Sequence, residues 1–127
     1  MSTIVSFEEV RERATFVENR THLTDTKGRF VKVADYRDGG IFWAGFSGVS
    51  QWERHPVGDE IVQIVDGSVT LTLRSEHGDE VHELSAGMLA IVPQGVWHQF
   101  RSPHGVTVLT TTPQPTEHIT DEAPTLR

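Results

Sequence analysis

Alternation of apolar and polar positions dominates the middle of the chain. Val69, Leu71 and Leu73 alternate with Thr70, Thr72 and Arg74, the period of a strand with one buried face. Glu60 to Val65 is a compact apolar run that meets Asp66-Gly67, a hairpin signal. Arg29 to Tyr36, Ile41 to Phe46, Met88 to Val92 and Val106 to Thr112 read as further strands. Asp38-Gly39-Gly40, Glu76-His77-Gly78-Asp79 and Pro93-Gln94-Gly95 read as the turns between them. A helix is signalled only near the start. Ser6 followed by Glu9 is a capping-box pattern, with helix-compatible residues to about Val17. So short a helix is marginal alone and is expected to lean on the strands. Many short strands with glycine turns predict an antiparallel sandwich or barrel, and strand count alone does not choose between them.

Composition narrows the picture modestly. A chain of 127 residues, 36% hydrophobic and 23% charged, suits one folded domain with a real core. The net charge of -7, without a Lys/Arg cluster, argues against a duplex nucleic-acid binder. With no cysteine, disulfide frameworks, thiolate metal sites and cysteine nucleophiles are excluded. No apolar run reaches signal-peptide or membrane-spanning length, so a cytoplasmic protein with no membrane partner is expected.

Candidate chemistry concentrates in two places. In Trp52-Glu53-Arg54-His55, strand alternation puts Glu53 and His55 on one face, about 6.5–7 Å apart at Cα, near enough to reach one ion. Glu60 opens the apolar face of Val62 and Ile64, where a lone carboxylate is costly without a partner or a metal. His98 shares a face with Phe100. Two imidazoles and a carboxylate suit iron(II), manganese, nickel, cobalt or zinc. Each residue also has a plainer reading. A His in a half-buried strand is more often hydrogen-bonded structure, Glu53 has Arg54 beside it, and Glu60 sits next to Asp59 in a turn. His22, His77, His82, His104 and His118 read as surface residues, and Tyr36, Trp43 and Trp97 as core or rim.

The spacing of these residues resembles the cupin family. Glu53-x-His55, four residues, Glu60, six residues, Gly67 is similar to the family's first motif from its second His onward. Gly87, five residues, Pro93-Gln94-Gly95, two residues, His98, three residues, Ser102 is similar to the second motif in all but its final Asn. The likeness spans about Trp43 to Thr112 and is closest to a group of small single-domain members. It implies an all-β double-stranded β-helix, the cupin or jelly-roll barrel, over residues 29–112. A 1–28 N-terminal arm with the short helix precedes it, and a 113–127 tail, disordered or draped, follows. It also implies one divalent transition metal held by His55, Glu60 and His98, with Glu53 in place of the family's first His, as a fourth ligand, a general base, or neither. On this likeness the expected protein is a metal-dependent homodimeric enzyme of dioxygenase, isomerase or lyase type, acting on a small oxygenated metabolite. Trp43, Trp97 and Phe100 are expected to wall its pocket. The alternative is a non-catalytic ligand-binding or sensory barrel.

Overall fold

The computed structural model describes residues 2–119 and 124–125; the rest of the expected tail, 120–123 and 126–127, lies outside the described residues. The elements run α1 (Phe7–Arg13), β1 (Val17–Arg20), β2 (Val31–Tyr36), β3 (Gly39–Val49), β4 (Trp52–Arg54), β5 (Glu60–Leu73), β6 (Glu80–Ser85), β7 (Leu89–Val92), β8 (His98–Pro113) and β9 (Glu117–Ile119). Among the described residues, no helix is long and apolar enough to cross a membrane.

Ser6 caps α1 as its position promises, its Oγ accepting from the Glu9 amide at 3.3 Å. The helix stops at Arg13, short of Val17. Val17 is 1% exposed and opens β1, packed into the main core. Burying it there outweighs one more marginal helical turn. Val10, in turn, packs with Trp43 and Leu109, and the Phe7 ring centroid lies 5.6 Å from that of Trp43. Trp43 therefore faces α1. Its β3 neighbours Phe42, Ala44 and Phe46 face the barrel interior, so the expectation that Trp43 walls a pocket is overturned by strand alternation.

β5 and β8 form the frame. They pair antiparallel from Ile61↔Thr111 to Leu73↔His98, while β3 pairs with the other side of β8 and β6 and β7 pair with β5. Asp66-Gly67 does not end a strand in a hairpin. β5 passes straight through it, with register shifts between Ile64 and Asp66 and between Gly67 and Thr70. The side chains show why. Val62 and Ile64 are buried at even positions, and Val69, Leu71 and Leu73 at odd ones. A β-bulge moves the alternation by one residue, and this keeps both halves facing one core while the strand bends. Gly67 adopts φ +75° at the bend. The resulting curled sheet buries Val62, Leu71, Val92, Phe100 and Val106 inside. At one end, β9 adds to β4 through the pairs Trp52↔Ile119, Glu53↔His118 and Arg54↔Glu117, draping residues 117–119 over the rim.

Candidate metal centre

The four candidate side chains come from the ends of three strands. Glu53 lies in β4 with His55 just beyond it, Glu60 opens β5, and His98 opens β8. Register places Glu53 opposite His98. Two turns lash the remaining positions together. The Gln94 amide donates to Asp59 Oδ1 at 2.8 Å, Gln94 Nε2 to the Pro56 carbonyl at 2.8 Å, and the Gly95 amide to the His55 carbonyl at 3.0 Å. The turn residues Pro56–Asp59 and Pro93–Gly95 thus set the separation of His55, Glu60 and His98.

One ligand atom from each of Glu53, His55, Glu60 and His98 lies within 4.8 Å of all the others. His55 Nε2 is 3.1 Å from Glu60 Oε2, while His98 Nε2 is 3.2 Å from Glu60 Oε1 and 3.4 Å from Glu53 Oε1. Nevertheless, His55 Nε2, His98 Nε2 and Glu60 Oε1 are buried without a partner at hydrogen-bonding angles among the described residues. Close but misaligned, the atoms converge on a shared point instead of bonding one another. A polar group buried in this way is costly, and an ion at the shared point removes the cost.

The outer contacts suit that role. His98 Nδ1 is 2.9 Å from the Val96 carbonyl, which only accepts, so Nδ1 carries the proton and Nε2 faces inward. His55 Nδ1 is 2.9 Å from Thr116 Oγ1, whose own proton goes to Gln114 Oε1 at 3.4 Å, and this again leaves Nε2 inward. Thr112 Oγ1 donates to Glu60 Oε2 at 2.6 Å. Thr112→Val keeps the shape and removes this donor. It is expected to cost about 1.5–3 kcal/mol, the scale of a hydrogen bond to a charged group, in urea unfolding. An unchanged midpoint would show that Glu60 does not depend on it.

Electrostatics bind the metal-free cluster together. Burial works to raise the Glu53 and Glu60 carboxyls, but contacts with His118 and His98 hold Glu53 below the usual carboxylate range, and contacts with His55 and His98 do the same for Glu60. Burial works to lower His98, but its close contacts with Glu53 and Glu60 and their negative charges prevail and push it up to about 10. A depressed carboxylate contributes stability above its unfolded value of 4.5 and loses it as pH falls. A raised imidazole contributes fully below its unfolded value of 6.5 and loses it as pH climbs to about 10. Chelator-treated protein is therefore expected to melt highest between 4.5 and 6.5 and progressively lower on either side. A melting temperature still rising from pH 7 to 9 would contradict this.

The centre opens into a cavity of about 320 Å³ lined by Glu53, His55, Glu60 and His118 on one side and by Phe30 and Phe46 on the other. Phe100 lines it as expected, whereas Trp97 stacks on the Arg54 guanidinium at 4.6 Å, on the face of β4 opposite Glu53. His118 is a surface residue as expected, yet it reaches the centre. It is 44% exposed, but its Nε2 is 3.3 Å from Glu53 Oε2. Only the β4–β9 pairing brings it there, and a short polar tail carries no periodicity from which to read that pairing. Arg20 and Thr116 are further lining residues without a sequence signal.

The cupin-domain family model matches residues 45–112, both motif segments included. The chain belongs to the cupin family. Solved structures agree on the barrel. A cupin-2 domain protein from Shewanella frigidimarina is 16% identical with a TM-score of 0.63, over 91% of this chain and 95% of that one. A hydroquinone 1,2-dioxygenase from Sphingomonas sp., solved with 4-hydroxybenzoate bound, is 19% identical with a TM-score of 0.58, over 72% and 66%. A second hydroquinone 1,2-dioxygenase, solved with Cd2+ and 4-hydroxybenzonitrile, is 19% identical with a TM-score of 0.55, over 66% and 63%. No curated protein matches this cupin by sequence. At these identities the likeness carries the double-stranded β-helix fold, not the activity.

Proposed function

We propose that this cupin is a metal-dependent enzyme, of dioxygenase, isomerase or lyase type, that acts on a small oxygenated metabolite. The reading rests on the three buried, partnerless donor atoms His55 Nε2, Glu60 Oε1 and His98 Nε2 beside a cavity of small-molecule size. These residues, with Glu53 as fourth ligand or as general base, would hold one ion of Fe, Mn, Ni, Co or Zn. Such an ion supplies Lewis-acid polarisation of substrate oxygens, or dioxygen chemistry if it is redox-active. The chain's own part is to orient, to exclude water and to handle a proton. Val96 and Thr116 fix the two imidazoles, and the phenyl rings give the cavity an apolar wall. Glu53, with His118 on its outer oxygen, is placed to hold or move a proton at the mouth.

Protein purified without chelators is expected to carry about one such metal per chain by elemental analysis, in keeping with one cluster. The loaded form should then consume dioxygen or exchange substrate protons with solvent when screened against small hydroxy and keto compounds. Failure to take up any of the five metals would overturn the reading. Glu53→Gln separates its two roles, since a general base retains the metal and loses turnover, whereas a ligand loses both.

We further propose that this cupin is a homodimer. Ile61, Leu89 and Ile91 are 38, 57 and 58% exposed. The pairing Ile61↔Ile91 sets them together on the outer face of β5 and β7, an apolar stripe suited to a second copy. Light scattering should give twice the 14.2 kDa chain mass at micromolar concentration, and a monomer would refute the dimer.

A further inference from the structure

Arg20 is a half-buried cation that the metal centre does not employ. It lines the same cavity as Glu53, His55 and Glu60. Its Nε is buried and has no hydrogen-bond partner among the described residues. Glu53 is the acid whose field it feels, but the oxygens of Glu53 are engaged by His98 at 3.4 Å and His118 at 3.3 Å. An arginine so placed stays charged, and its buried Nε–H without an acceptor is costly.

The chain goes to some trouble to put it there. β1 runs parallel to β3 with its register slipping between Val17 and Arg20, and Asn19 takes φ +53° in the left-handed region. Opposite Arg20, Gly48 adopts φ +102°, and a Cβ on it would stand 2.1 Å from the Arg20 carbonyl oxygen. The guanidinium carbon then sits 5.1 Å from the Phe30 ring centroid and 4.8 Å from that of Phe46. The two ring centroids are only 6.1 Å apart, so both rings lie to one side of the guanidinium and its other side is left for an acceptor.

Charge counting points the same way. A divalent ion is balanced by the carboxylates of Glu53 and Glu60, and neutral imidazoles add nothing. The cavity is then left with the single positive charge of Arg20, which calls for one negative charge on what it binds. A carboxylate matches the planar fork of a guanidinium with two parallel hydrogen bonds. The phenyl walls suit a compact carbon skeleton, and about 320 Å³ limits its size.

We propose that Arg20 anchors the carboxylate of the cavity's ligand, so that this cupin takes small monocarboxylic acids in preference to neutral sugars or alcohols. The proposal rests on the cavity being the ligand site of the proposed function.

The test uses the full chain as purified and after zinc loading, with acetate, glycolate and benzoate set against acetamide, glycolamide and benzamide, and inorganic phosphate as a further arm. Binding is read by calorimetry or saturation-transfer NMR. At least one acid should bind about tenfold or more tighter than its amide, the scale of a hydrogen bond to a charged group. Arg20→Gln should abolish that preference, Arg20→Lys should keep part of it, and metal content should be unchanged in both. Circular dichroism checks that each variant is folded, and if Arg20→Gln is not, the reduced preference of Arg20→Lys carries the test. No acid preference in the wild type, a preference that survives both substitutions, or phosphate bound more tightly than every carboxylate would each overturn the proposal. Elemental analysis keeps the two readings apart. A wild-type protein that takes up no metal sinks the metal reading and the charge count with it, and the acid preference of the as-purified chain then tests the Arg20 guanidinium by itself.

Discussion

His98→Ala is expected to strip this cupin of most of its bound divalent metal, lowering affinity by more than the 10–100-fold that loss of an outer-shell partner typically costs. His98 is 0% exposed, and its Nε2 lies 3.2 Å from Glu60 Oε1 and 3.4 Å from Glu53 Oε1, so it stands between the two carboxylates. Removing it deletes a donor atom and also leaves the buried Glu60 and half-buried Glu53 carboxylates without the group that contacts both. The metal-free variant should therefore unfold more readily as well, by about 3–5 kcal/mol, the cost of breaking a buried ion pair from one side. His55→Ala should lose metal in the same way, with a smaller effect on the metal-free fold because His55 contacts one carboxylate, Glu60, at 3.1 Å. Elemental analysis after dialysis, beside urea unfolding of chelated protein, reads both effects. Full metal retention in both variants would remove the site.

Gly67→Ala is expected to be among the most destabilising single-methyl additions in the chain, and Gly95→Ala is its control. Both glycines adopt φ +75°. Either alanine therefore pays the left-handed penalty, about 1–2 kcal/mol. They differ in surroundings. A Cβ at Gly95 meets nothing within 4 Å, whereas at Gly67 it would stand 2.2 Å from the Gly105 carbonyl oxygen and 3.1 Å from Val106 Cα. Backbone cannot rotate aside as a side chain would, so β5 and β8 must part at their bend. Overpacking of that kind adds about 1–3 kcal/mol. Gly67→Ala should thus lose about 2–5 kcal/mol against about 1–2 for Gly95→Ala. Equal losses would mean that only the dihedral matters and that the close approach of β5 to Gly105 is slack.

That bend also shows where sequence reading reaches its limit. The alternation of Val69, Leu71 and Leu73 and the run from Glu60 are plain in the sequence, and so is the glycine between them. An inserted residue in a continuous strand and a tight hairpin carry nearly the same local signal. Which one forms depends on whether β8 is there to pair across the bend, as it is from Ile61↔Thr111 to Leu73↔His98. Trp43 is a similar case. Its burial was readable, but the face it occupies was decided by α1, whose Val10 and Phe7 cover it from outside.

The sequence by itself determined the cupin family, through the spacing of His55, Glu60 and Gly67 and of Gly87, Pro93, Gly95 and His98. It also determined the inward turn of Glu53, because a strand that points His55 at the centre carries Glu53 with it. These features depend on near neighbours along the chain, where backbone geometry is stiff and periodic. Tertiary structure alone decided the rest. It brought His118 back over the centre on β9, with Thr116 just before that strand, and slid Arg20 into the cavity through a parallel pairing opposite Gly48. Long-range pairings of short, polar or irregular segments leave no period in the sequence. They are chosen by what the finished barrel offers them as partners, and so the outer shell of the site appears only once the chain has folded.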